Sequence, residues 1–252
     1  MAGGVGKTPV VSEVAKKLSA PVIMRGYKGG DEAKMLKKAG IEVYIGNRQN
    51  NIKKLSAISY QLSAIIMDDG FQNPTIKKAL SILVFDEKIG VGNGFMLPAG
   101  PLREPLSAIR RADAVMIIRK RDEGRRMQAL ESALKKYGKP IFYATSETIM
   151  PDTNKKIIAF AGIGYPQKFF DAVRPFPIET IAFPDHYQYT ASDLKKLFAR
   201  AEFLDAELLT TEKDWVRLPD FAARKIKVAK QKVLIEHAFW KWLKKKLNEE
   251  RN

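Results

Sequence analysis

At 252 residues the chain is long enough for one large domain or two small ones, and its 45% hydrophobic and 29% charged content suits a folded globular protein. The absence of cysteine excludes a disulfide framework and any thiolate metal site. With 44 Lys and Arg against 28 Asp and Glu, the net charge is +16. That field draws anionic partners such as nucleic acid, anionic headgroups or phosphorylated substrates, and does not choose among them.

The most apolar stretch, around residues 157–164, falls well short of the ~20 residues a spanning helix needs. Glycine-rich sequence opens the chain where a secretory signal would need an apolar core. The expectation is a cytoplasmic protein, with attachment to a membrane surface still open.

Short β-branched runs alternate with helical patterns through the first 150 residues. Strands are expected at 21–24, 41–45, 64–68, 81–85, 114–118 and 141–144, and helices at Lys7–Leu18, 31–39, 50–59 and 122–137. Such alternation predicts a mostly parallel sheet covered by helices on both faces. Residues 151–154 have turn composition and mark a linker. Beyond them a smaller series follows: a strand at 157–160, helices at 167–172 and 191–201, strands at 207–209 and 232–235, and a last helix from His237. Thr190, with Asp193 three residues on, suits a helix N-cap. The fold class expected is therefore α/β, with domains at 1–150 and 151–252.

Gly3-Gly4-Val5-Gly6-Lys7-Thr8 is the strongest local signal. Glycines let successive backbone N–H groups turn toward phosphate oxygens, and the following helix adds its dipole. Lys7 can reach β- and γ-phosphates, and the Thr8 hydroxyl can ligate Mg²⁺. Pro9 suits a first helical turn, where a missing N–H costs nothing. The bland alternative is a glycine-rich turn that happens to precede Lys-Thr. Met1 stands where the full G-x-x-x-x-G-K-[ST] pattern has glycine, and no residues precede it to form the strand from which such a loop hangs. This predicts a natural start further upstream. Downstream, Ile65-Ile66-Met67 ends in Asp68-Asp69-Gly70, an apolar run that can deliver a carboxylate to Mg²⁺ or its water shell.

The later motifs are more specific. Asp68-Asp69-Gly70-Phe71-Gln72, Gly92-Asn93-Gly94 and Leu97-Pro98-Ala99-Gly100-Pro101-Leu102-Arg103-Glu104-Pro105 closely resemble the tetraacyldisaccharide 4'-kinase family, which acts in lipid A biosynthesis. Arg25-Gly26-Tyr27, Gly30-Asp31-Glu32, Phe160-Ala161-Gly162-Ile163-Gly164, Phe183-Pro184-Asp185-His186 and Thr211-Glu212-Lys213-Asp214 match it in the same order.

The resemblance implies a phosphate-loop nucleotide-hydrolase-like domain, a smaller α/β domain closing the active-site cleft, and transfer of the ATP γ-phosphate to the 4'-hydroxyl of a tetraacyldisaccharide 1-phosphate. It implies a peripheral monomer on the cytoplasmic face of the inner membrane, with an anionic membrane surface as partner and no nucleic acid. Gly3, Gly4, Val5, Gly6, Lys7 and Thr8 would hold ATP, and Thr8, Asp68, Asp69 and Glu104 would organise Mg²⁺. Asp31 would be the base, oriented by His186; Arg103 would bridge transferring oxygens; Arg25, Tyr27 and Gln72 would face the substrate.

Departures from the family pattern are Tyr187 in place of a second adjacent histidine, Asn73 in place of histidine, and a short segment between Tyr27 and Gly30. The resemblance implies an apolar helix ahead of the phosphate loop, and the expectation is that these residues do not include it. In the last helix Phe239, Leu243 and Leu247 share one face at i, i+4, i+8 spacing. That face is expected to dock on its own domain, interfacial binding being the alternative.

Two other functions compete. One is a partition-type ATPase that binds DNA through its basic surface, against which Ala2 stands at the position of that group's signature lysine. The other is a truncated remnant of the lipid kinase that folds without turnover.

Overall fold

A computed structural model describes residues 6–26, 30–58, 64–120 and 127–250. In chain order the elements are α1 (Lys7–Leu18), β1 (Val22–Met24), α2 (Asp31–Lys38), β2 (Val43–Ile45), α3 (Arg48–Ile58), β3 (Ile66–Met67), β4 (Ile82–Asp86), β5 (Ala114–Lys120), α4 (Met127–Lys135) and β6 (Ile141–Ile149). There follow β7 (Lys156–Ala161), α5 (Gln167–Phe170), β8 (Glu179–Ala182), α6 (Ala191–Phe203), β9 (Ala206–Thr211), α7 (Glu212–Trp215), α8 (Asp220–Ala223), β10 (Lys227–Ile235) and α9 (His237–Glu249). A 3₁₀ helix covers Leu106–Arg111.

The chain divides into two units, neither of them a single stretch. The first comprises residues 1–25, 41–147 and 233–252; the second comprises 26–40 and 148–232. Two segments thus lie across the linear boundary expected near residue 150. Helix α2 belongs to the second unit because its inner face, Ala33 and Leu36, is buried and Lys38 lies over the Trp215 ring at 3.6 Å. Helix α9 belongs to the first because Phe239 and Leu243 join its core, Phe239 meeting Phe142 edge to face at 5.5 Å. The apolar face of α9 is therefore docked.

In the first unit β1 lies between β2 and β3, all parallel, with Val22 opposite Val43 and Ile66. Strands β4, β5 and β6 form a second parallel set, Val115 facing Leu83 and Ile141. The two-residue period of β5 distributes its side chains to both faces. Ala114, Met116 and Ile118 pack with Val10 of α1, while Val115 and Ile117 pack with Leu130 and Leu134 of α4. Burial on both faces is why this strand reads as a continuous apolar run.

The second unit repeats the device. Its parallel strands run in the order β10-β9-β7-β8. Ile158 and Phe160 of β7 face Leu194 and Leu197 of α6, whereas Ile157, Ala159 and Ala161 face Phe169 and Phe170 of α5. Helix α6 starts where the sequence places it, with a reciprocal cap: Thr190 Oγ1 accepts from Asp193 N, and the Asp193 carboxylate accepts from Thr190 N. The α/β class and mostly parallel strands expected from sequence are present. Strand β8, the one-turn helices α7 and α8 and the 3₁₀ helix are additions that its periodicity did not signal.

Candidate active site

In the first unit Gly6 caps α1 in the left-handed conformation at φ 73°, and a Cβ there would press to 2.9 Å from Ile118 Cδ1. Both facts call for glycine. Among the described residues no side chain caps this helix, and no acid lies in its first turn. Lys7 and Thr8 follow, with Thr8 buried. Gly3, Gly4 and Val5 lie outside the described residues, as does Tyr27.

Lys7 Nζ donates to Asp69 Oδ1 at 2.8 Å, and Arg103 Nη1 donates to Asp69 Oδ2 at 2.7 Å. Burial alone would raise the Asp69 pKa. The hydrogen bonds and charges of Lys7 and Arg103 more than offset it and hold it at about 2. Asp69 has a positive φ of 51°, a strained setting for a residue with a Cβ. The turn is stapled by Arg48, whose Nη2 donates to the Asp68 carbonyl at 2.7 Å and the Asp69 carbonyl at 3.1 Å. Asp68 is buried and continues the ladder, its N–H reaching the Ile23 carbonyl.

Arg103 is delivered by a cinched loop. Asn93 donates to the Ala99 carbonyl and accepts from Phe95 N, Leu97 N reaches the Leu102 carbonyl, and Leu102 is buried just before Arg103. Glu104 is ion-paired with Arg111, which also covers the Phe71 ring. Arg25 and Gln72 are exposed.

In the second unit Asp31 opens α2 and is only 5% exposed. Its Oδ2 lies 3.1 Å from His186 Nδ1 and accepts from Arg217 Nε at 2.8 Å, with Arg217 Nη2 at 2.7 Å. An ionised carboxylate only accepts, so the proton in the imidazole contact sits on Nδ1. Asp31 Oδ1 is buried and has no partner among the described residues. Burial would raise the Asp31 pKa; Arg217 first and His186 second offset it, and the net direction is down. His186 takes φ 59° and half-emerges, anchored by its N–H to the Gly162 carbonyl.

Behind this pair lies a fully buried second carboxylate. Asp214 Oδ1 accepts from Gly162 N at 2.9 Å, Tyr189 Oη at 2.8 Å and Arg217 Nη1 at 3.2 Å, and its Oδ2 accepts from Thr211 Oγ1 at 2.6 Å. Arg217 Nη1 also donates to the Gly162 carbonyl at 2.8 Å. A Cβ on residue 162 would meet Asp214 Oδ1 and the Pro184 carbonyl at 3.1 Å, which explains the glycine.

The structure thus brings together Lys7, Asp69 and Arg103 in one unit, and Asp31 with His186 in the other. Sequence reading missed Arg48, Tyr189 and Arg217 and gave Asp214 no role. For Asp214 the signal was present, since Thr211-x-x-Asp214 has the spacing of an N-terminal cap.

A parallel α/β fold carrying a glycine-capped Lys-Thr helix, a facing acidic turn and a separately built carboxylate–imidazole pair defines an ATP-using phosphotransferase. The tetraacyldisaccharide-1-P 4'-kinase family model matches residues 1–248. A tetraacyldisaccharide 4'-kinase of Maricaulis maris is 38% identical over 250 residues, covering 88% of this chain and 73% of that protein. Its counterpart in Phenylobacterium zucineum is 39% identical over 244 residues, covering 86% and 73%. That of Parvibaculum lavamentivorans is 38% identical over 246 residues, covering 86% and 70%. The chain belongs to the tetraacyldisaccharide-1-P 4'-kinase family and is a kinase of lipid A biosynthesis. Nothing in these matches favours a DNA-binding partition ATPase.

Proposed function

We propose that this kinase moves the γ-phosphoryl group of ATP to the 4'-hydroxyl of a tetraacyldisaccharide 1-phosphate. The observation that carries the reading is the Asp31–His186 contact, made by residues 155 positions apart and matching the base and its orienting histidine that the family motifs imply. Phosphoryl transfer asks the protein mainly for positioning and charge neutralisation. In this reading Lys7, with the amides of residues 3–6, exchanges Asp69 for phosphate oxygens, and Arg103 neutralises charge on the moving group. The acceptor hydroxyl gives its proton to Asp31 as its oxygen attacks phosphorus, and the bond to the ADP leaving oxygen breaks.

The donor set fits Mg²⁺. This ion takes hard oxygen ligands, keeps several waters and needs only one or two carboxylates. Thr8, Asp68 and Asp69 offer that chemistry; among the described residues there is no group of three or more His, Cys, Asp or Glu that could by itself hold a metal ion. Glu104, expected as a further ligand, is engaged by Arg111. Bound there, the ion would offset phosphate charge.

Peripheral attachment to the cytoplasmic face of the inner membrane completes the reading. It is supported by the +16 charge, worth about 1 kcal/mol per Lys or Arg near an anionic leaflet, and by the exposed Phe95, Met96 and Leu97. No helix among the described residues is long and apolar enough to cross a membrane. Incubation with ATP, Mg²⁺ and the disaccharide 1-phosphate lipid should add one phosphate to the lipid, measured by mass spectrometry. Hydrolysis of ATP stimulated by DNA, with no lipid product, would sink the assignment.

A further inference from the structure

We propose that Arg217 is a buried positioning residue of this site, clamping Asp31 Oδ2 so that Oδ1 is left to take the proton of the acceptor hydroxyl; this rests on the kinase reading above. The geometry is specific. The Arg217 side chain is completely buried, and its planar fork reaches Asp31 Oδ2 through Nε and Nη2, and the Gly162 carbonyl and Asp214 Oδ1 through Nη1. Nη2 also lies 3.3 Å from His186 Nδ1. One guanidinium therefore fixes the carboxylate, the backbone that anchors His186, and the acid behind both.

A lysine could supply the charge but not the fork, because an ammonium is a point donor. The asymmetry at Asp31 is the second observation. One oxygen carries every contact, while the other is buried and unpartnered among the described residues. An orphaned buried acceptor is costly, ~1–3 kcal/mol, and calls for an explanation. A hydroxyl donor arriving at Oδ1 supplies one.

Among the described residues the charged and titratable groups that interact with Asp31 are few. Arg217 and His186 touch it, Asp214 and Tyr189 stand behind Arg217, and Asp185 stands 3.9 Å from His186 Nε2. Arg217 is the only one of these that combines full burial with a permanent positive charge. Without it, burial would act on Asp31 unopposed by a fixed cation, and the carboxyl would hold its proton to higher pH.

The test is the pH dependence of lipid phosphorylation. In the wild type the acid limb of kcat/KM should fall below the ordinary carboxylate value of about 4. Arg217→Met should raise that limb by about a unit or more and cut kcat at least about tenfold, with KM for ATP unchanged. Arg217→Lys should bring the limb back toward the wild type without restoring kcat. An unmoved limb in Arg217→Met overturns the proposal, because a residue that only held the fold together would leave it there. Should both variants fail to fold, the wild type decides alone: an acid limb at or above about 5 overturns the proposal. A wild type that phosphorylates no lipid removes the kinase reading itself.

Discussion

The two acidic centres of this protein are built in opposite ways. Asp69 sits in a half-open turn between two cations whose side chains are 28% exposed. Asp214 sits in a sealed pocket where every contact is internal and Arg217 is fully enclosed. Ion pairs near solvent are worth little to the fold, whereas a charge enclosed with its partners cannot lose one cheaply. The first arrangement suits a site that must open to phosphate, the second a frame that must not move.

The largest effect expected is at Asp31, the carboxylate that the sealed frame holds through Arg217 and to which the proposed function gives the chemistry. Asp31→Asn should lower the rate of lipid phosphorylation ~10²–10⁴-fold, the usual contribution of a general base. Rates equal to the wild type would remove Asp31 from the mechanism. Next, Asp214→Ala should cost ~3–5 kcal/mol of stability in a denaturant titration, because it takes one of two carboxylates from the buried Arg217 and leaves the Gly162 N–H and the Tyr189 hydroxyl without their acceptor. A loss under about 1 kcal/mol would erase the contrast between the two centres. Tyr189→Phe removes one donor to Asp214 and should cost about 0.5–1.5 kcal/mol.

The smallest effect belongs to the open centre. The folded Asp69 pKa of about 2 lies below the unfolded value of about 3.9. Its contribution is therefore complete above about pH 4 and disappears as pH falls through about 2. Asp69→Asn should be slightly less stable than the wild type at neutral pH, by at most about 1 kcal/mol after solvent screening, and the gap should close on acidification. A gap that widens toward acid would mean the sign is wrong.

The open centre was also the more legible in sequence. Gly6-Lys7-Thr8 and Asp68-Asp69 are local patterns whose chemistry follows from spacing, although Arg48, which staples the turn, gave no signal from its helix. The parallel strands were legible because β5 and β7 bury both faces and so read as apolar runs. Strand β8 was not, since Glu179 and Thr180 dilute a four-residue segment at the end of the strand order. The sealed centre was half legible. Motif likeness pointed to Asp31 and His186, but Arg217 meets Asp31 across 186 positions, and only folding reveals that pairing. For the same reason a boundary drawn along the chain misplaced α2 and α9, which are assigned by what they pack against.

The order in which the ribosome releases this chain gives α9 a further meaning. Val10 of the phosphate-loop unit is translated long before Phe239 and Leu243, which fill the same core beside Phe142. Residues 26–40, delivered early, must likewise wait for Arg217. Neither unit can complete its core until these later residues have emerged. In nascent chains arrested before residue 237 the first unit should therefore remain protease-sensitive, a vulnerability that two domains laid end to end would not share.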